Sequence, residues 1–269
     1  MDLLKRSIAP ILPDAWKAID AEAKRVLQLN LAGRKVVDFK GPFGWKFAAV
    51  NTGRLAMLPS GPIADVASGV RTVQPVVEMR TPFVLDIMEL DTVARGADDP
   101  KLDPVIRAAE RIARAEDTAI FYGYEAGGIQ GLVSASPHAA VVVGAAADWP
   151  RGIVRAKEAL RSAGVGGPYA LACGRKAYDE LASESEDGGY PLRKHIERNV
   201  LEGPIIWAPA VVDGAVLLST RGGDFELTVG QDLSIGYAFH DRTAVELYLT
   251  ETFTFRVLEP TAALLIKRS

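Results

Sequence analysis

The chain has 269 residues, enough for one large domain or two small ones with a substantial buried core. With 48% hydrophobic and 24% charged residues it is ordinary globular material, which excludes disorder as the dominant state. A net charge of -3, from 31 basic and 34 acidic residues, leaves no basic excess of the kind that marks a nucleic-acid partner.

The opening MDLLKRSIAPILPDAW has apolar pieces too short for a signal segment, and Lys5, Arg6 and Asp14 interrupt them. A helix is predicted to begin at Asp14 as its cap, with Trp16, Ile19, Ala23, Val26 and Leu27 on one apolar face and Gly33 as its stop. Residues 34–39 then read as a short strand. Residues 46–80 read as a long two-stranded excursion, with turns at Asn51-Thr52-Gly53 and Pro59-Ser60-Gly61-Pro62. An isolated hairpin is marginal in water, so this arm needs a surface, in its own domain or on a neighbouring chain.

The strongest helical pattern covers 103–118, with Asp103 as cap, Pro104 at the first helical position and Val105, Ile106, Ala109, Ile112 and Ala113 as its stripe. A second helix starts near Pro150, with Ile153, Val154, Ala156 and Leu160 inward and Gly164 at its end. A third covers 175–183. Strands are predicted at 169–172, 205–208, 215–219, 225–229, 244–250 and 252–257. Runs of strands with separated helices make the class α+β. The longest uncharged stretch, 126–147, holds Gly127, Gly128, Gln130, Gly131, Ser134, Ser136, Pro137 and His138, so it does not span a membrane. A soluble cytoplasmic protein is expected.

Chemistry-bearing patterns are few. His138, His195 and His240 show no metal-ligand spacing, and no P-loop, Rossmann fingerprint or G-x-S-x-G elbow occurs. The lone Cys173 excludes an intrachain disulfide, fits a reducing compartment and reads as a buried structural thiol. Gly127 to Gly131 reads as a turn. Glu89, Asp91, Asp98 and Asp99 read as solvated turn charges, with cation binding or acid–base work as the alternative. Glu184, Glu186 and Asp187 beside Gly188-Gly189 form a charged loop. Repeated around a symmetry axis, the same loop would line an acidic aperture.

The segment Gly230-Gln231-Asp232-Leu233-Ser234-Ile235-Gly236-Tyr237, preceded by Arg221-Gly222-Gly223-Asp224-Phe225, resembles the family-1 encapsulins, or linocin-type proteins. So do Leu4-Lys5-Arg6-Ser7-Ile8-Ala9-Pro10, residues 32–38 with Gly41-Pro42-Phe43-Gly44-Trp45, Gly167-Pro168-Tyr169, Gly189-Tyr190-Pro191-Leu192 and Glu251-Thr252-Phe253-Thr254-Phe255. These motifs run from residue 4 to about 257. The resemblance implies an HK97-like phage capsid fold: an N-terminal arm and helix over 1–45, an E-loop over 46–80, a P-domain with the long helix over 81–131, an A-domain over 132–222 and a return to the P-domain over 223–269.

It also implies a function without catalysis. Identical subunits would close into an icosahedral shell, of the smallest class T=1, around a cargo enzyme: a ferritin-like iron-storage protein or a dye-decolorising peroxidase. The cargo's targeting peptide would bind a groove at Arg34, Asp38, Leu27, Leu233 and Ile235, with no nucleic acid or membrane partner. An Arg34–Asp38 ion pair is the competing reading of the two polar residues. Ser183, Glu184, Ser185, Glu186, Asp187, Gly188 and Gly189 would face a five-fold pore that passes cations. Some members stack flavin on a tryptophan in the segment that here reads Leu85-Asp86-Ile87-Met88-Glu89-Leu90. Met88 lacks that flat face, so no cofactor is expected. No metal site is expected either. The alternatives are a capsid protein of a phage or related element and, more distantly, a hydrolase or protease, a label that bacteriocin-type relatives have carried. No nucleophile–base set supports the latter.

Overall fold

The computed structural model of the chain describes residues 3–183 and 191–269. Pro13 occupies the first position of α1 (Pro13–Asn30), where its missing N–H costs nothing. Asp14 therefore lies inside the first turn, paired with Lys17 at 2.8 Å, and Leu12 stands at the cap. The helix stops at Asn30, short of the expected Gly33, which opens a 3-10 turn over Gly33–Lys35. That turn and the two residues after it take four of the six positions in the predicted 34–39 strand and leave β1 (Asp38–Lys40).

The predicted excursion is an antiparallel pair, β2 (Ala49–Met57) and β3 (Gly69–Pro75), followed by β4 (Val77–Asp86). Asn51-Thr52-Gly53 is not a turn. It is an irregularity inside β2, where the register shifts between Asn51 and Leu55. Of the four charges read as turn residues, Glu89 and Asp91 lie on α2 (Ile87–Ala94), capped by Asp86, which accepts from Met88 N at 2.7 Å, while Asp98 and Asp99 follow it in irregular chain. The long helix α3 (Asp103–Phe121) has Leu102 at its cap and Asp103 and Pro104 in its first turn. The glycine-rich run closes a tiny hairpin of β5 (Gly123–Tyr124) and β6 (Ile129–Gln130), where Gly128 takes a φ of 68° that other residues rarely adopt.

There follow α4 (Leu132–Ala135), β7 (Val141–Val143), α5 (Trp149–Ser162), β8 (Tyr169–Cys173), α6 (Arg175–Ser183), α7 (Leu192–His195), β9 (Ile205–Trp207) and β10 (Gly214–Ser219). The chain then forms β11 (Phe225–Val229), β12 (Ser234–His240), β13 (Ala244–Val257) and β14 (Ala263–Arg268). Val154, expected to point inward on α5, is 52% exposed, while Ile153, Ala156 and Leu160 are fully buried. The strands predicted at 244–250 and 252–257 are one strand, β13, running straight through Glu251.

Two five-stranded sheets result. In the first, β13 is flanked on one side by β12 and β11 and on the other by β4, and β1 lies parallel to β11. The second runs β7-β14-β10-β8-β9. The expected 223–269 return is thus divided between the sheets, because the apolar run Ala263-Leu264-Leu265-Ile266 seats β14 between β7 and β10.

Each sheet has a core. Ala15, Ile19, Ala23 and Val26 of α1 meet Val105, Ala108, Ala109 and Ile112 of α3 over Phe83, Leu85, Val245, Leu247 and Leu249. Trp149, Ile153, Ala156 and Leu160 of α5 help to bury the all-apolar runs of β8 and β10 in the second core. Covered on both faces, these strands read as continuous apolar runs rather than alternations. By contrast, β2 and β3 bury no residue. Leu55, Met57, Val70 and Val73 stay 54–62% exposed on the arm.

Candidate functional site

The inner edge of α1 and the start of β12 enclose a cavity of about 440 Å³. Its apolar surface comes from Ala23, Leu27 and Leu31 on the α1 side and Leu233, Ile235 and Leu249 on the sheet side. The N-terminal arm crosses one end: Leu4 O accepts from Tyr237 N at 2.8 Å. Arg6 grips Asp20 through two bonds of 3.0 and 2.7 Å and lies 3.9 Å above the Trp16 ring. Arg34 and Asp232 form the polar end. An apolar trough between charged ends suits an extended peptide whose apolar side chains alternate with polar ones.

Four of the five residues singled out for peptide binding, Leu27, Arg34, Leu233 and Ile235, line this one cavity. Asp38 does not. It faces a separate cleft of about 160 Å³ with Lys35, Ser219, Thr220 and Gly222, and accepts from Gly223 N at 2.6 Å. Arg34 and Asp38 make no ion pair. The Arg34 guanidinium, 16% exposed, instead donates from Nε to both Glu116 oxygens at 2.9 Å, from Nη1 to Asp232 at 2.8 Å and from Nη2 to Glu251 at 3.1 Å. Burial works against its charge, but the hydrogen bond to Glu116 and the charges of Glu116, Glu251 and Asp232 overcome this and hold its pKa above the ordinary arginine value.

Beside this group, Asp117 accepts from Ala32 N and Gly33 N, both at 2.8 Å. Burial pushes its carboxyl up to about 7 against the pull of those two bonds. The same contact fixes Gly33, since a Cβ there would stand 2.6 Å from Ile120 Cδ1. Sequence reasoning missed Glu116, Glu251 and Asp232 as partners of Arg34. A signal for Glu116 existed: it continues the Val105, Ala109, Ile112 stripe of α3, and a charge at a stripe position needs a buried partner.

Among the described residues no group of His, Cys, Asp and Glu is arranged to hold a metal ion. Cys173 is fully buried, and burial pushes its thiol up, away from the reactive thiolate. His138 is bonded to Thr261 O at 2.9 Å, and His240 Nδ1 to Tyr237 Oη at 2.6 Å. Of the residues assigned to a pore, Ser183 ends α6 exposed, bonded to Glu180 O at 3.2 Å. Glu184, Ser185, Glu186, Asp187, Gly188 and Gly189 lie outside the described residues. Met88 is 64% exposed on α2. No helix among the described residues is long and apolar enough to cross a membrane.

Comparison with known proteins bears on the family and the fold. Residues 1–254 match a family described as "Encapsulating protein for peroxidase". The type 1 encapsulin shell protein of Rhodospirillum rubrum is 51% identical over 269 residues, covering 98% of this chain and 95% of that one. Those of Brevibacterium linens and Mycobacterium tuberculosis are 47% and 44% identical, covering 96% and 95% of this chain and the same shares of their own. A virus-like particle from Pyrococcus furiosus shares the fold at 13% identity, with a TM-score of 0.66 over 94% of this chain and 99% of its own. The capsid of Myoviridae phage XM1 does so at 14% identity, with a TM-score of 0.57 over 89% and 92%. These are HK97-like capsid folds. A family match over nearly the whole sequence, relatives near half identity that are named as shell proteins, and a capsid architecture lead to one conclusion: the chain belongs to the type 1 encapsulin shell proteins, wall subunits rather than enzymes.

Proposed function

We propose that identical copies of this chain close into a T=1 icosahedral shell in the bacterial cytoplasm. The shell encloses a cargo enzyme whose targeting peptide occupies the cavity between α1 and β12. The observation that carries the assembly reading is the β2–β3 arm, which buries none of its own residues and displays Leu55, Met57, Val70 and Val73 to a neighbour. Closed symmetry needs such self-complementary surfaces. The cargo reading is supported by four sequence-selected residues lining one apolar trough. The matched family's description favours a peroxidase as cargo. The acidic run Glu184, Glu186 and Asp187 instead favours a cation-consuming, ferritin-like cargo.

The experiment is native purification from the source cell, with electron microscopy of the particle and mass spectrometry of what co-purifies. Closed particles holding one dominant enzyme are expected. They should lack stoichiometric flavin absorption, because Met88 offers no ring for stacking. Leu27→Asp places a charge in the trough and should yield particles of normal size with cargo occupancy lowered at least about tenfold, the effect of losing some 1.4 kcal/mol of binding. Full occupancy in that variant would move the peptide site elsewhere. Arg34→Ala is a poor probe of the trough, since it strands the buried Glu116 and Glu251.

A further inference from the structure

Four carboxyl groups and one guanidinium meet beneath the C-terminal end of α1. Arg34 comes from the turn after α1, Glu116 and Asp117 from α3, Asp232 from the loop before β12 and Glu251 from β13. Lys35, exposed, faces Asp117 from outside and donates to Leu29 O at 3.3 Å. Glu116 and Glu251 have fully buried side chains, while Asp232 remains 41% exposed and meets Arg34 from the cavity side.

One cation cannot balance this set. Glu116 is bound by Arg34 through both oxygens. Glu251 receives a single Arg34 bond on Oε2, and its Oε1 is buried with no partner. Glu116 Oε2 and Glu251 Oε2 both accept from the same Arg34 Nη2, which sets the two carboxyl groups side by side. If both were ionised, two like charges and an unsatisfied oxygen would share a site without water, a cost that buried groups avoid by keeping a proton. A proton on Glu251 turns a repelled acceptor into a donor to Glu116 and leaves Arg34 facing two carboxylates, Glu116 and the partly solvated Asp232.

We propose that Glu116 and Glu251 share one proton, and that this acid–carboxylate pair, clasped by Arg34, is a latch whose deprotonation drives Glu116 of α3 and Glu251 of β13 apart and so loosens the neighbouring Asp117 cap on the Gly33–Lys35 turn and with it the 27–34 wall of the cavity. The bond broken is the Glu251–Glu116 hydrogen bond, and the proton leaves to solvent. Burial, and next the Glu116 charge, hold the Glu251 carboxyl well above the usual carboxylate range. A raised value in the folded chain means that the native state keeps a proton the unfolded chain gives up. Its stabilisation is therefore complete below the ordinary glutamate value and is lost as pH rises through the raised one. The latch opens in the alkaline direction, whatever the cavity holds.

The test uses purified shells and Glu251→Gln, which copies the protonated side chain. Infrared spectra of wild type minus variant at neutral pH should show a protonated-carboxyl carbonyl band that titrates away in alkali. Between about pH 7.5 and pH 10, above the range in which Asp117 titrates, the wild-type thermal midpoint should fall more steeply than the variant's, with the variant's alkaline unfolding midpoint moved up by about one pH unit. Amide exchange at Ala32 and Gly33, corrected for the intrinsic effect of pH, should accelerate in alkali in the wild type alone. Absence of the band overturns the proposal. So do parallel stability curves. A variant that folds poorly at neutral pH also overturns it, since that marks Glu251 as the ionised partner of Arg34.

Discussion

Asp117 serves two backbone donors with one side chain, and no other carboxyl group in the described chain caps the turn after α1 in this way. Asp117→Asn keeps the shape but leaves one acceptor for two N–H groups, so a loss of about 1–3 kcal/mol and a lower thermal midpoint are expected. The pH dependence adds a sign. With the carboxyl pushed up to about 7, its stabilisation is full below its ordinary value and is lost as pH rises to about 7. Wild type should therefore lose stability between about pH 4 and pH 7, and the Asn variant should lose less over that window. Differential scanning calorimetry across it decides, and equal slopes would remove Asp117 as the titrating group. None of this was legible in the sequence. Arg34 stood out through the family resemblance, but its partners lie 82, 198 and 217 positions away, a separation that no periodicity reports.

Elements were legible where a pattern ran unbroken. The α3 stripe, the 175–183 helix and the 46–80 arm all announced themselves through spacing and turn residues. Glu251 hid the continuity of β13, since a charge amid apolar residues reads as a break when its buried arginine is far away in sequence. Eight residues are too few for α2 to show a helical period beside Glu89 and Asp91, and β14 was overlooked as a strand because its place depends on β7 and β10. The cavity needed both halves at once: α1 was visible, while the β12 side was marked only by its motif. The arm supplies a prediction at this scale. Deleting 54–70 removes its tip and exposed apolar side chains but no buried residue, so a soluble, folded subunit should persist while closed particles vanish. Size-exclusion chromatography reads both results, and particles of wild-type size would show that the arm is dispensable.

The whole molecule pairs two separately packed cores with a surface of nearly balanced charge. The net charge of -3 conceals one concentrated acidic run, Glu184, Glu186 and Asp187. Symmetric repetition around a pore would raise the local cation concentration there, an effect screened beyond about 10 Å at 0.1 M salt. On the proposed reading of this run as a pore lining around a ferritin-like cargo, replacing the three acids with Ser should slow ferrous ion uptake into loaded shells at low ionic strength and make little difference at high. Equal rates at low salt in intact shells would assign the traffic to other openings.

The seat of β14 reaches further, into how the chain is made. A ribosome delivers β7, β8, β9 and β10 before it delivers β14, yet β14 is the strand that joins β7 to β10. Until it emerges, β7 has no ladder partner and the apolar sides of β10 and α5 lack Leu264 and Ile266. The second sheet therefore waits on translation of β14, and the first waits nearly as long, because β4 pairs with β13 and the α1–α3 core rests on Val245, Leu247 and Leu249. Neither core is complete in a nascent chain until β13 and β14 have been delivered, so α1 and α3, though made early, wait for the sheet they cover.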